Sequence, residues 1–185
     1  MRRMTLLILG ILLVFGSATT FTDDGGSRRI NVRLTGYEET STNALSTAGN
    51  GHFRARISKD ETAIEWELSY GDLEGTVTQS HIHFGARGQT AGVSAFLCSN
   101  LGNGPAGTQA CPASAPEDNP LTGVIMAANV IGPAAQGIAA GEIGELIAAI
   151  RAGAAYVNVH STKYPVGEIR AQFPPADHDR DHDHH

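Results

Sequence analysis

The chain has 185 residues, with 41% hydrophobic and 17% charged residues and a formal net charge of −6. This length predicts one folded domain. The acidic balance and the lack of any basic cluster argue against binding to nucleic acid and to anionic membrane surfaces.

The first 18 residues are typical of a secretory signal peptide. Arg2 and Arg3 precede an apolar run from Leu6 to Phe15, and small residues follow at 16–18. The run is short for a membrane span, so an uncleaved anchor is the weaker interpretation. Cleavage lowers Lys plus Arg from 13 to 11 against 19 acidic residues, which gives a net charge of −8. We therefore expect a secreted or periplasmic protein with no membrane association after cleavage.

Period-two alternation predicts antiparallel strands in the first half of the body, residues 29–173. The segments "RINVRLTG", "GHFRARIS" and "TAIEWELSY" each place apolar residues on one face and polar residues on the other. A fourth strand, "TVTQSHIHF", directs Ile82 and Phe84 to one face and His81 and His83 to the opposite face. The segment "GVSAFL" predicts a further strand.

Cys98 and Cys111 flank the loop "CSNLGNGPAGTQAC". Two cysteines behind an export signal favour a disulfide bond. A metal or redox pair is the alternative, but the spacing is not CxxC. The pattern therefore predicts a Cys98–Cys111 bond.

The second half of the body contains a short helix and a closing hairpin. Apolar residues at helical spacing predict a helix over 142–152, with Gly153 near its end. The segments "AYVNVHS" and "GEIRAQF" alternate again and predict two paired strands. About seven strands with one short helix indicate an all-β fold, either an antiparallel Greek-key-like β-sandwich or a small barrel.

Residues 174–185, "PPADHDRDHDHH", differ from the body. The segment carries almost no apolar residue, so we expect a disordered Asp/His-rich tail. It is also a candidate metal-binding tract on composition, with the imidazoles at His178, His182, His184 and His185.

Polar residues on several predicted strands all point away from the core. If the fourth strand neighbours the closing hairpin, a polar face forms from His81, His83, Asn158, His160, Glu168 and Arg170. In this arrangement His160 lies near Glu168, and Asn158 lies near Arg170. Three imidazoles suit Cu(II) or Zn(II), with a carboxylate such as Glu168 orienting a ring. His52 is the candidate fourth ligand. The alternative is a hydrogen-bonded network that ties loops to the sheet.

The motifs "SHIHFGARGQTAGV" and "YVNVHSTKYPVGEIRAQF" resemble those of the CHRD domain, the family named from chordin. "LTGYEET" resembles its opening segment. The resemblance covers residues 29–173, and it implies a single-domain secreted member of a bacterial type. Chordin binds growth factors, which implies an extracellular protein or matrix ligand for such a domain, but no established catalytic activity.

Two functions remain open at this stage. The first is a non-enzymatic extracellular module for binding or structure, since no pairing of a nucleophile with a base is visible. The second is a copper- or zinc-binding metalloprotein. A His-x-His strand with a disulfide is similar in part to copper–zinc superoxide dismutase, although no bridging histidine or zinc loop is visible here. The sequence establishes no cofactor, with copper or zinc as the candidates, and it favours the non-enzymatic function.

Overall fold

The structure, a computed structural model, describes residues 29–40 and 43–176. These residues form eight antiparallel strands and one α-helix. The strands are β1 (Arg29–Thr35), β2 (Asn50–Ile57), β3 (Ala63–Gly71), β4 (Val77–Phe84), β5 (Val93–Ser99), β6 (Leu121–Met126), β7 (Ala155–Ser161) and β8 (Ile169–Gln172). The helix, α1, spans Ile143–Arg151 and lies between β6 and β7.

All eight strands belong to one sheet in the order β5-β4-β7-β8-β1-β2-β3-β6. The sheet curls into a nearly closed barrel, with β5 and β6 at its two edges. Gln109 bridges that seam, because its side-chain amide donates to the carbonyls of Leu97 and Thr122. The predicted all-β fold with one short helix is therefore confirmed, and its form is barrel-like.

The core lies inside the barrel and follows the alternation of the strands. Inward-facing residues such as Leu34, Phe53, Leu68, Ile82 and Val157 are fully buried. Their burial removes apolar surface from water at about 25 cal/mol per Å², which is the main stabilising contribution of the fold.

Helix α1 closes one side of this core with an apolar stripe. Leu146, Ile147 and Ile150 are buried, and they recur at the spacing of one helical face. Gly153 follows the helix with a φ of +69°, and a Cβ there would lie 3.0 Å from Pro175. This left-handed conformation and the close approach explain why glycine ends the segment.

The Cys98–Cys111 disulfide is present, so that prediction is confirmed. One strand had no counterpart in the sequence prediction, namely β6. Its outward-facing Val124 and Met126 are apolar and exposed, while one inward position is Gly123. Apolar residues on both faces hid the period of two that marks the other strands.

In the part of the chain that the structure describes, no helix is long and apolar enough to cross a membrane. The predicted signal peptide (1–18) lies outside the described residues. The four tail histidines, His178, His182, His184 and His185, also lie outside them, so both interpretations stay predictions.

Candidate metal centre

The outward side of β4, β7 and β8 is buried although its side chains are polar; we call it the covered face. Its buried residues are His81, His83, Tyr156, Asn158, His160, Arg170 and Gln172. Three loops cover it, at 36–40, 85–92 and 162–167, and Thr40, Gln89, Ala91 and Pro165 supply hydrogen-bond acceptors to it. The loops therefore turn an outer sheet surface into a second interior.

Strand register brings the histidines together. In the β4–β7 pair, His81 lies opposite Asn158, and Gln79 lies opposite His160. A register shift between Val77 and Gln79 marks a bulge in this strand. In the β7–β8 pair Asn158 lies opposite Arg170, as the sequence predicted. The neighbouring strands thus carry His81, His83 and His160 to one place.

These three residues form a compact cluster, which we call the trihistidine centre. One ring nitrogen from each residue lies within 4.8 Å of the others. His81 Nδ1 lies 3.1 Å from His160 Nε2. Two nitrogens that bind one ion at ~2.1 Å lie at most about 4.2 Å apart, so the cluster needs only a small contraction to hold an ion.

Backbone carbonyls fix the orientation of two of the rings. His83 Nδ1 lies 2.9 Å from the carbonyl of Ala91, and His160 Nδ1 lies 3.1 Å from that of Pro165. A carbonyl only accepts, so each Nδ1 carries the hydrogen, and each neutral ring presents the lone pair of Nε2 to the centre. Metal-binding histidines commonly have this arrangement, in which the second nitrogen donates to a backbone carbonyl.

Asn158 lies between these two lone pairs. Its side-chain amide approaches His83 Nε2 at 3.1 Å and His160 Nε2 at 3.0 Å through the atom assigned as Oδ1. An oxygen facing two acceptor nitrogens would be repelled, so the hydrogen-bond pattern favours the flipped amide, whose NH₂ group donates to both. In the ion-free protein, Asn158 therefore satisfies the lone pairs that an ion would use.

Burial keeps the three imidazoles neutral. Desolvation, with electrostatic contributions from His160 and His83, lowers the pKa of His81 to about 2. Desolvation also lowers the pKa of His160 to about 4. The pKa of His83 is lowered as well, chiefly by burial. Neutral imidazole is the form that binds metal ions, so no proton has to leave at neutral pH.

Aromatic rings pack around the centre. The His81 ring meets the edge of Phe96 at a centroid distance of 4.4 Å. The His83 ring stacks on the Tyr156 ring at a centroid distance of 4.6 Å. The guanidinium of Arg170 also stacks on Tyr156, with its central carbon 3.4 Å from the ring centroid. The Nε2 atom of His81 is buried without a hydrogen-bond partner in the described residues. It is the one ring nitrogen of the centre that the surroundings leave unsatisfied.

Arg170 and Gln172 organise the rest of the covered face. Arg170 is 1% exposed and donates to Thr40 Oγ1, to the carbonyl of Gln89 and to Gln172 Oε1. Burial lowers the pKa of Arg170, whereas the negative charge of Glu39 opposes that shift. Glu39 is itself buried, and a Cβ at Gly167 would collide with its carboxylate, so glycine is required there. Arg170 and Gln172 thus tie the covering loops to β8 through Thr40, Gln89 and Gly85.

Two candidate site residues are placed away from the centre. Glu168 is fully buried, but its Oε1 accepts from Thr47 Oγ1 and from the backbone N–H of Glu74. It anchors two loops instead of orienting a histidine ring. His52 is on β2, which three strands separate from β4 in the sheet, and it forms an ion-pair contact with Glu117. The cluster of ligand atoms includes His81, His83 and His160 but not His52, so His52 is not placed as a fourth ligand.

Sequence reasoning missed several residues that shape the site. Tyr156 and Phe96 looked like ordinary strand residues, and their ring contacts depend on strand order. Gln172 was seen as an outward polar residue, although its amide donates to the carbonyls of Gly85, Gly153 and Ala155. The signal for Glu39 was its place in "LTGYEET", a segment already matched to a family motif.

Comparison with known proteins identifies the family. The family model for the CHRD domain matches residues 30–173. The chain belongs to the CHRD domain family. The match includes β1 to β8 almost entirely, and with them the trihistidine centre and the loops that cover it. Searches of the curated proteins and of the solved structures gave no match.

Proposed function

We propose that this chain is a secreted, non-enzymatic CHRD-domain module that binds one copper or zinc ion at the trihistidine centre. The convergence of His81, His83 and His160 within 4.8 Å carries the proposal. Secretion is supported by the signal-like residues 1–18 and by the disulfide bond, which persists in oxidising compartments.

The hydrogen bonds around the centre favour ion binding over a purely structural network. The protein's own hydrogen bonds do not satisfy all three rings, because His81 Nε2 is buried without a partner among the described residues. The Nε2 lone pairs of His83 and His160 converge on the amide of Asn158, and a bound ion would take the place of that amide as their partner. The Nδ1 atoms of His83 and His160 are already held by backbone carbonyls, so these two rings need little reorientation to bind an ion.

Burial supports a non-enzymatic role. The three side chains are 3%, 7% and 6% exposed, so a bound ion would have no open face toward solvent. Catalytic metal sites keep one position open for water or substrate. A closed centre instead retains its ion, and the covering loops at 85–92 and 162–167 must open for exchange.

Binding can be tested on the full chain with the four tail histidines replaced by serine, so that the tail does not compete. Anaerobic Cu(I), Cu(II) and Zn(II) are each titrated by competition with a chromophoric chelator at pH 7.5. We expect one bound ion per chain, and a loss of about 100-fold or more in affinity in His83→Gln or His160→Gln, as ligand loss is costly.

The matched control is His52→Gln, which removes an imidazole from a strand far from the centre and leaves the affinity unchanged. Circular dichroism establishes that each variant keeps the fold. If His83→Gln and His160→Gln, both folded, bind every ion as the parent does, the proposed function is wrong. The polar cluster is then a structural network.

A further inference from the structure

The ligands of the trihistidine centre carry no negative charge. All three imidazoles are neutral donors, and among the described residues the cluster includes no Asp, Glu or Cys. The amide of Asn158 and the ring of Tyr156 contact the histidines, and neither carries a charge as an amide or as a protonated phenol. Tyr156 stays protonated at neutral pH, because burial raises its pKa.

The charges nearest the centre do not compensate for a bound cation. The guanidinium of Arg170 lies on the far side of the Tyr156 ring, so a positive charge stands behind His83. Glu168 lies outside the cluster: its Oε1 accepts from Thr47 and from the backbone N–H of Glu74, and its Oε2 has no hydrogen-bond partner among the described residues. Glu39 acts on the charge of Arg170 rather than on the histidines. A bound ion would therefore keep its full formal charge inside the protein.

Burying an uncompensated charge costs free energy that rises with the square of that charge. A divalent ion at this site bears about four times the desolvation cost of a monovalent ion of similar size. Cu(I) accepts three nitrogen ligands in a trigonal arrangement, whereas Cu(II) and Zn(II) prefer at least one more ligand. The described residues supply three imidazoles and an apolar ring edge from Phe96.

We infer that the trihistidine centre selects Cu(I) over Cu(II) and Zn(II). This inference rests on the proposed function, and it adds the charge of the ion and the reason for its selection. The neutral ligand set, the buried position and the positive charge of Arg170 all act in the same direction.

Asn158 is the position that sets this selectivity. Its amide lies 3.0–3.1 Å from two of the ligand nitrogens. Aspartate has the same shape but would place a full negative charge there. The attraction of that carboxylate for a divalent ion would be twice its attraction for a monovalent ion. The difference equals the interaction energy of one pair of unit charges. One such unit at ~4 Å, with an effective dielectric constant of ~20, corresponds to about a thousandfold in affinity.

The experiment measures three dissociation constants in the full chain with the tail histidines replaced by serine. Cu(I) is supplied anaerobically as its acetonitrile complex, and Cu(II) and Zn(II) as simple salts, each against a chromophoric chelator at pH 7.5. We expect Cu(I) to bind at least about a thousandfold more tightly than Zn(II). In Asn158→Asp the ratio of Zn(II) to Cu(I) affinity should rise by about a thousandfold. In Asn31→Asp, an added charge on exposed strand β1, the ratio should stay the same.

The outcomes separate this inference from the proposed function. If His83→Gln abolishes the binding of none of the three ions, the proposed function fails. If an ion binds and His83→Gln abolishes it, but Zn(II) or Cu(II) binds as tightly as Cu(I), the selectivity for Cu(I) is refuted while the metal centre stands. An unchanged ratio in folded Asn158→Asp also refutes it, because the charge argument requires a change.

Discussion

The covered face and the opposite part of the same sheet begin from the same sequence pattern and end in different environments. On the outward side of β1, β2, β3 and β6, the open face, Arg54 lies opposite Glu67, and Arg56 lies opposite Glu65. Arg54 remains 45% exposed there. On the covered face, Asn158 lies opposite Arg170 in the same alternating manner, yet both are almost fully buried.

The difference arises from the loops. Nothing in the strand alternation separates "RARI" from "HIHF" or "IRAQ", since each places polar residues on the outward side. The loops at 36–40, 85–92 and 162–167 contact the outward side chains of β4, β7 and β8 through Thr40, Gln89, Ala91 and Pro165. Polar residues under these loops must satisfy each other, whereas those on the open face are satisfied by water. Alternation therefore indicates which side of a strand faces the core, but not whether the other side is exposed to solvent.

The largest contrast between the two faces is expected for their arginines. Arg170→Met removes a buried guanidinium with three hydrogen-bond acceptors and leaves Glu39 without its opposing charge. We expect a loss of about 3–5 kcal/mol in the free energy of unfolding, measured by urea denaturation. Arg54→Met, the matched change on the open face, should cost less than about 1 kcal/mol. Equal costs would show that the covered face does not behave as an interior.

The second contrast is pH dependence in the ion-free protein, with a chelator present. The unfolded chain protonates its histidines below pH ~6.5, while folded His160 and His81 stay neutral down to about 4 and about 2. The unfolded state therefore binds more protons, so stability is complete above pH ~6.5 and is lost as the pH falls toward these values.

Between pH 7.5 and 5.5 the free energy of unfolding should fall by about 2–4 kcal/mol, since each histidine contributes up to ~1.4 kcal/mol per pH unit. Urea denaturation at several pH values measures the slope. His81→Leu removes one of the three titrating groups and should flatten the curve. A flat curve in the parent protein would mean that the centre is hydrated.

The smallest of the three contrasts concerns Gln172, whose amide donates to three backbone carbonyls. Gln172→Met keeps the volume but removes the side-chain donor from the carbonyls of Gly85 and Gly153, while Ala155 still accepts from the backbone N–H of Phe173. We expect a cost of about 1–3 kcal/mol by urea denaturation. Thr122→Val on the open face should change the free energy by about 0.5 kcal/mol or less, because its side chain is exposed. A cost for Gln172→Met as small as that for Thr122→Val would argue that water reaches the carbonyls.

The sequence by itself determined the strands that have one apolar face, the helix over 142–152, found at Ile143–Arg151, and the disulfide. These features depend on local periodicity and on residue chemistry, which a single chain displays directly. The motifs around His81 and His160 also determined the family, which the family model confirms. Strand β6 was not predicted, because it lies at an exposed edge of the sheet and carries apolar residues on both faces.

Only the tertiary structure decided which polar residues share a site. His81, His83 and His160 meet because β4 pairs with β7, whereas His52 has the same outward orientation but lies on β2, which is separated from both strands by β8 and β1. Glu168 was expected beside a histidine, but its carboxylate binds two loops instead. Strand order and loop coverage are set by long-range packing of the whole chain. A local sequence pattern does not specify strand order or loop coverage. For this reason the sequence could identify the candidate histidines but could not show that they are buried.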